Sequence, residues 1–156
     1  MVDLYNPTLI AALIGWAIAQ STKIILNAIK YKRFIPERIF GAGGMPSSHA
    51  STVCALATVV CRICGPASVE FALAVTLALV VMYDAAGVRR AAGMHAQELN
   101  KMKQIVYEFE QRESPEDQDF KEIMEIHTLK EYLGHTPIEV ICGAVLGIFI
   151  GLAIGI

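Results

Sequence analysis

Charge is scarce in this sequence. Asp, Glu, Lys and Arg make up 18% of its 156 residues, hydrophobic residues make up 54%, and the mean hydropathy is +0.49. Soluble domains carry about 25% charged residues, so the balance excludes an ordinary soluble domain. It also excludes a disordered chain, which needs few apolar residues and a high net charge. An excess of positive charge is missing too: 13 Lys and Arg stand against 15 Asp and Glu, for a net charge of −2. Nucleic acid is therefore not an expected partner. The opening residues, Met1 to Pro7, hold Asp3 and no basic stretch, and no small-residue cleavage pattern follows, so no secretory signal is expected. Cysteine is sparse. Cys61 and Cys64 form a C-x-x-C with no second Cys or His pair at zinc-finger spacing, and Cys54 and Cys142 lie in apolar runs. That pattern reads as small buried side chains, with no metal and no cofactor.

Long apolar runs are what the sequence has. Four of them approach the roughly 20 residues that cross a bilayer: Pro7 to Ile29, His49 to Cys64, Pro66 to Val88, and Pro137 to Ile156. The expected fold is all-α, a polytopic membrane bundle of about four transmembrane helices forming one domain over residues 1–156. The second and third runs are separated by little more than Gly65 and Pro66, which predicts a tight hairpin. The last run carries Gly143, Ala144, Gly147, Gly151 and Gly155, small residues that let helices approach closely and that suit pairing as a homodimer.

The extended polar region lies between runs three and four. Within residues 91–134, Leu99, Met102, Ile105, Val106 and Phe109 recur at helical spacing, and Phe120, Ile123, Met124 and Leu129 follow after Ser114-Pro115. The pattern predicts a polar helical hairpin, acidic on its wet face, whose Met and Phe stripe is core. His95 and His127 on it have no matching ligand set. Arg62 and Glu70, at the other end of the bundle, read as solvated ends.

An up-and-down path through four spans gathers the polar residues on one side. Lys23 ends the first span, Gly44-Met45-Pro46-Ser47-Ser48-His49 opens the second, Asp84, Arg89 and Arg90 close the third, and His135 to Glu139 opens the fourth. Ionisable groups gathered at a membrane face mark a functional site. The chemistry suits a phosphate. Gly43 and Gly44 admit an anion to the backbone, the helix start near Ser47 and Ser48 offers free N–H groups, and Lys and Arg supply neutralising charge. His49 and His135 are a candidate acid and nucleophile, and Glu139, one helical turn beyond His135, is placed to hold its tautomer. Asp84 is expected to pair with one of the two arginines.

These residues resemble a known family. Pro46-Ser47-Ser48-His49 is similar to the P-S-x-H motif of the type 2 phosphatidic acid phosphatase superfamily, which includes vanadium-dependent haloperoxidases, and His135-x-x-x-Glu139 resembles its closing H-x-x-x-D. With Gln20, Lys23 and Met82 to Arg90, the ordered set resembles the superfamily's divergent membrane branch. The resemblance implies that His135 attacks phosphorus, that His49 protonates the leaving group, and that a phosphohistidine forms without a metal. It also implies that Lys23, Arg33, Gly44, Ser47, Ser48, Arg89 and Arg90 bind the phosphate of a membrane lipid, either a lipid phosphate or an isoprenyl diphosphate. The sequence departs from the family pattern at three places. Lys30 occupies the position of the first motif's arginine, leaving Arg33 or Arg38 to substitute. Leu129 occupies that of the third motif's arginine, leaving Arg89 or Arg90, and Glu139 replaces aspartate. Two rival readings use the same residues: a non-catalytic lipid-phosphate-binding scaffold, and a small transporter subunit with Lys23 and Asp84 as relay groups. The density of Lys and Arg on the site's side predicts a multi-pass protein of the cell membrane with a cytoplasmic site.

Overall fold

In the computed structural model, the structure describes residues 5–31, 43–113, 129 and 134–155. They are helical, in the order α1 (Pro7–Tyr31), α2 (Ser48–Cys64), α3 (Val69–Tyr83), a π-helical turn (Asp84–Val88), α4 (Arg89–Glu113) and α5 (Pro137–Ala153). The expected all-α bundle is what forms. Helix α2 is its centre, packing on α1, α3 and α5, while α1 and α5 also touch.

Small residues make this packing possible. A Cβ added at Gly143 would run into the backbone of Ser47, one at Gly147 into that of Ser51, and one at Gly151 into the side chain of Thr58. The three glycines lie four residues apart, so they form one stripe, and along it α5 lies nearly backbone to backbone on α2. Gly155 has open space around it and takes no part. On the other flank of α2, Ser51 Oγ donates to the carbonyl of Gly15 at 2.9 Å.

The bundle is inverted relative to a soluble core. Its buried apolar residues are mostly alanines, among them Ala11, Ala19, Ala50, Ala55 and Ala85, whereas Leu13, Trp16, Leu73, Ile141, Phe149 and Leu152 face outward. Water does not tolerate such an apolar surface, and lipid does. Two helices, Pro7–Ile29 and the continuous Val69–Phe109, are long and apolar enough to cross a membrane, and α2 and α5 are shorter apolar helices.

Local signals set the helix ends. Ser68 caps α3 by accepting from Phe71 N–H, so that helix begins at Val69 rather than at the expected Pro66. Gly65, at φ 86°, turns the chain between α2 and α3, which gives the tight hairpin. At this end of the bundle Tyr5 Oη donates to the carbonyl of Gly155. Arg62 is not simply a solvated end: it donates to the carbonyls of Gly151 and Ile154 at 2.8 and 2.7 Å. A cation there satisfies the orphan carbonyls and the negative pole of α5.

The polar insertion departs furthest from expectation. It does not start as a separate unit at residue 91, because α3 runs through the π-turn into α4 with no break in the helix. Nor is its apolar stripe core: Leu99, Met102, Ile105, Val106 and Phe109 are all exposed. The covered side of α4 is the other one, Gly93, Ala96, Asn100, Lys103 and Tyr107. There Asn100 exchanges two hydrogen bonds with the backbone of Leu129, at 2.9 and 3.0 Å. Leu129 thus lies against α4, while the Ser114-Pro115 break and the second apolar set up to Met124 lie outside the described residues.

Candidate active site

The ends of α1 and α3 and the beginnings of α2 and α5 meet on one side of the bundle. Gly43 and Gly44 take φ values of 98° and 87°, which only glycine adopts without strain. This lays the chain across Lys23: a Cβ at Gly44 would stand 3.3 Å from Lys23 Cγ. Lys23 is 2% exposed, so it does not snorkel to the surface, and its Nζ donates to Gln20 Oε1 at 3.2 Å. Pro46 then leads into α2, where Ser47 is the N-cap and accepts from Ala50 N–H. Ser47 and Ser48 are both buried.

Two backbone hydrogen bonds fasten the second half of the site to the first. Ser47 N–H donates to the carbonyl of Glu139 at 2.9 Å, and His135 N–H donates to the carbonyl of Ala85 at 3.0 Å. The second bond explains the π-turn. Within it Arg89 N–H reaches back five residues to Asp84, and the extra residue leaves one carbonyl surplus to the helix ladder. Ala85 turns its carbonyl to His135. Gly134 is needed beside it, since any side chain there would collide with the backbone of Arg89 and Arg90.

Glu139 has two partners through one oxygen. Its Oε2 accepts from Thr136 N–H at 3.0 Å, completing a capping box in which Glu139 N–H donates to Thr136 Oγ1. The same oxygen lies 3.3 Å from His135 Nδ1. Helix initiation and imidazole orientation therefore share one carboxylate. His135 is 1% exposed, and its ring meets that of His49 edge to face, with centroids 5.7 Å apart. Nε2 of His135 and Nδ1 of His49 are buried without a hydrogen-bond partner. A buried polar atom left unpaired costs about 1–3 kcal/mol, so these two nitrogens are candidate contacts for a ligand.

The electrostatics fit. Burial holds the His135 imidazole below the ordinary histidine range, and the Lys23 charge pushes the same way, against the opposing pull of Glu139. His135 is then neutral near pH 7, as a nucleophile must be. Arg89 Nε pairs with Asp84 Oδ2 at 2.6 Å, the expected partnership. Arg90 is half-buried and enters the cluster through its backbone, against Gly134. Arg33 lies outside the described residues. Lys23, Gly44, Ser47, Ser48, His49, Arg89, His135 and Glu139 are thus drawn to one end of the bundle. Sequence reasoning assigned no role to Thr136, Ala85 or Gly134. The T-x-x-E spacing of a capping box carried the signal for Thr136, whereas nothing in the sequence marks a π-turn.

The profile of the Divergent PAP2 family matches residues 4–150. This chain belongs to that family. It is also 38% identical over 154 residues to YuiD, an uncharacterized membrane protein of Bacillus subtilis (strain 168), with 97% of this chain and 95% of the relative covered. No solved structure matches it.

Proposed function

We propose that this protein is a multi-pass membrane phosphatase that hydrolyses a lipid phosphate or isoprenyl diphosphate through a phosphohistidine. The observation that carries the reading is the buried His135 imidazole against the half-buried His49 imidazole, each with one buried nitrogen lacking a partner, beside a buried lysine and two positive-φ glycines. His135 Nε2 attacks phosphorus, the P–O bond to the leaving group breaks, and His49 delivers a proton to the departing oxygen. Water then attacks the phosphoimidazole, His49 takes its proton, and inorganic phosphate leaves. Lys23, Arg89 and the N–H groups at the start of α2 stabilise the oxygens as charge builds on them. The outward-facing leucines, isoleucines and phenylalanines favour a substrate whose tail stays in lipid while its headgroup enters the polar end. The concentration of Lys and Arg in the α1–α2 connection and at Arg89 and Arg90 favours a cytoplasmic site.

The test is phosphate release by purified protein from a panel of lipid phosphates and isoprenyl diphosphates. Vanadate inhibition and an acid-labile phosphoenzyme that His135→Ala abolishes would support the reading. Tight binding of the same lipids without turnover would instead favour a lipid-phosphate-binding scaffold. That rival draws support from Leu129, which occupies the third motif's arginine position and is held at α4 through its backbone. Labelling of a single cysteine introduced in α4, in a cysteine-free variant, reports the sidedness.

A further inference from the structure

Lys23 lies about two turns before the end of α1, where a lysine in lipid ordinarily runs its stem out to the headgroups. Here it does the opposite. The α1 face made by Ala12, Gly15, Ala19 and Lys23 is buried. Ser51 Oγ fastens that face to α2 through the carbonyl of Gly15, and Gly44 lies over the lysine stem. Helical side chains lean towards the N-terminus of their helix, and this one leans back to Gln20, one turn deeper in the bundle. Among the described residues the hydrogen-bond acceptor of Lys23 Nζ is Gln20 Oε1, at 3.2 Å. Gln20 is buried as well. Filling space does not account for it, because an apolar side chain would fill the same space with less desolvation.

We infer that Gln20 is a positioning residue of the anion site: it holds the Lys23 ammonium inside the bundle on a neutral oxygen, so that the charge stays available to a phosphate. The type of acceptor decides the point. An ammonium has three N–H donors and no acceptor. The amide oxygen of Gln20 takes one of them and leaves the rest for ligand oxygens. A carboxylate in its place would fix the ammonium equally well, but the ion pair would offer an anion little net attraction. A glutamine separates holding the charge from cancelling it. The charge so held acts on His135, the buried imidazole whose Nε2 lacks a partner. The inference rests on the anion-binding half of the proposed function, and nothing in it depends on turnover.

Titration calorimetry of inorganic orthovanadate into the purified protein tests it. Gln20→Met keeps the length of the side chain and removes the acceptor, whereas Gln20→Glu keeps an acceptor and adds a negative charge. Each should weaken orthovanadate binding by about tenfold to a hundredfold, the cost at metal sites of losing a partner that orients a ligating side chain. A glutamine with a merely structural task would tolerate the glutamate, which preserves its shape and its hydrogen bond, so that variant carries the test even where Gln20→Met fails to fold. Because Gln20 acts through Lys23, adding Gln20→Glu to Lys23→Met should weaken binding no further.

Parent-like binding by Gln20→Glu, or an equal further loss in the Lys23→Met background, would overturn the inference. Phosphate release from lipid phosphates by the same preparations separates the two readings. A parent chain that binds orthovanadate but releases no phosphate sinks the phosphatase and leaves the role of Gln20 standing. Undiminished binding and turnover in Gln20→Glu does the reverse, and a parent chain that binds no orthovanadate overturns both.

Discussion

Glu139 holds His135 Nδ1 and the Thr136 N–H with the same carboxylate oxygen, at 3.3 and 3.0 Å. A structural task and a chemical one are fused in this atom, and a single substitution separates them. Glutamine at this position keeps an acceptor for the capping box but no longer holds a negative charge against the imidazole. Glu139→Gln should fold with a melting temperature close to that of the parent and lose activity by about a hundredfold to ten-thousandfold. Phosphate release and thermal melting on the same preparation check both halves.

His135→Ala should remove phosphate release altogether. His49→Ala should slow it by about a hundredfold to ten-thousandfold, the contribution of a positioned general acid. A substrate with a better leaving group, which needs no proton, should recover much of the His49→Ala loss and none of the His135→Ala loss. Comparing an aryl phosphate with an alkyl phosphate makes the measurement.

The pH dependence has a definite sign. Burial and Lys23 hold His135 below the ordinary histidine range, near 6.5, so the acid limb of kcat/KM should fall below that value. Lys23→Met removes a neighbouring positive charge, so the weak residual activity should show its acid limb at higher pH. Stability follows the same linkage. Below about pH 6.5 the unfolded chain binds a proton that the folded imidazole resists, so stability falls as pH drops from there towards the folded value. Thermal melts across that window, with His135→Gln giving a shallower dependence, test the sign.

Much of the site was legible because its residues sit at the ends of apolar runs, and run order alone sets which ends share a side. The Asp84 and Arg89 pairing followed from proximity in sequence. The fate of α4 was not legible. A change from apolar to charged residues at Arg89 marks where lipid ends, yet it says nothing of whether the backbone stops there. Likewise the spacing of Leu99, Met102 and Phe109 defines a face without saying what it faces, and the less exposed side of α4 is the other one. Arg62 looked idle because its partners, the carbonyls of Gly151 and Ile154, carry no sequence signal.

The glycine stripe of α5 gives a prediction about packing. Gly147→Leu places a side chain against the backbone of Ser51 and should destabilise the bundle by about 1–3 kcal/mol, with Gly143→Leu as severe and closer to the site. Gly155→Leu, which meets open space, should leave the melting temperature unchanged. Thermal melts in one detergent compare the three.

The bonds that brace the histidine pair run from Ser47 to Glu139 and from His135 to Ala85 through peptide groups, not side chains. Every amino acid but proline carries both peptide groups, so drift in side-chain identity leaves these struts in place. The imidazole of His135 is therefore docked through its own main chain, whatever side chain stands at position 85.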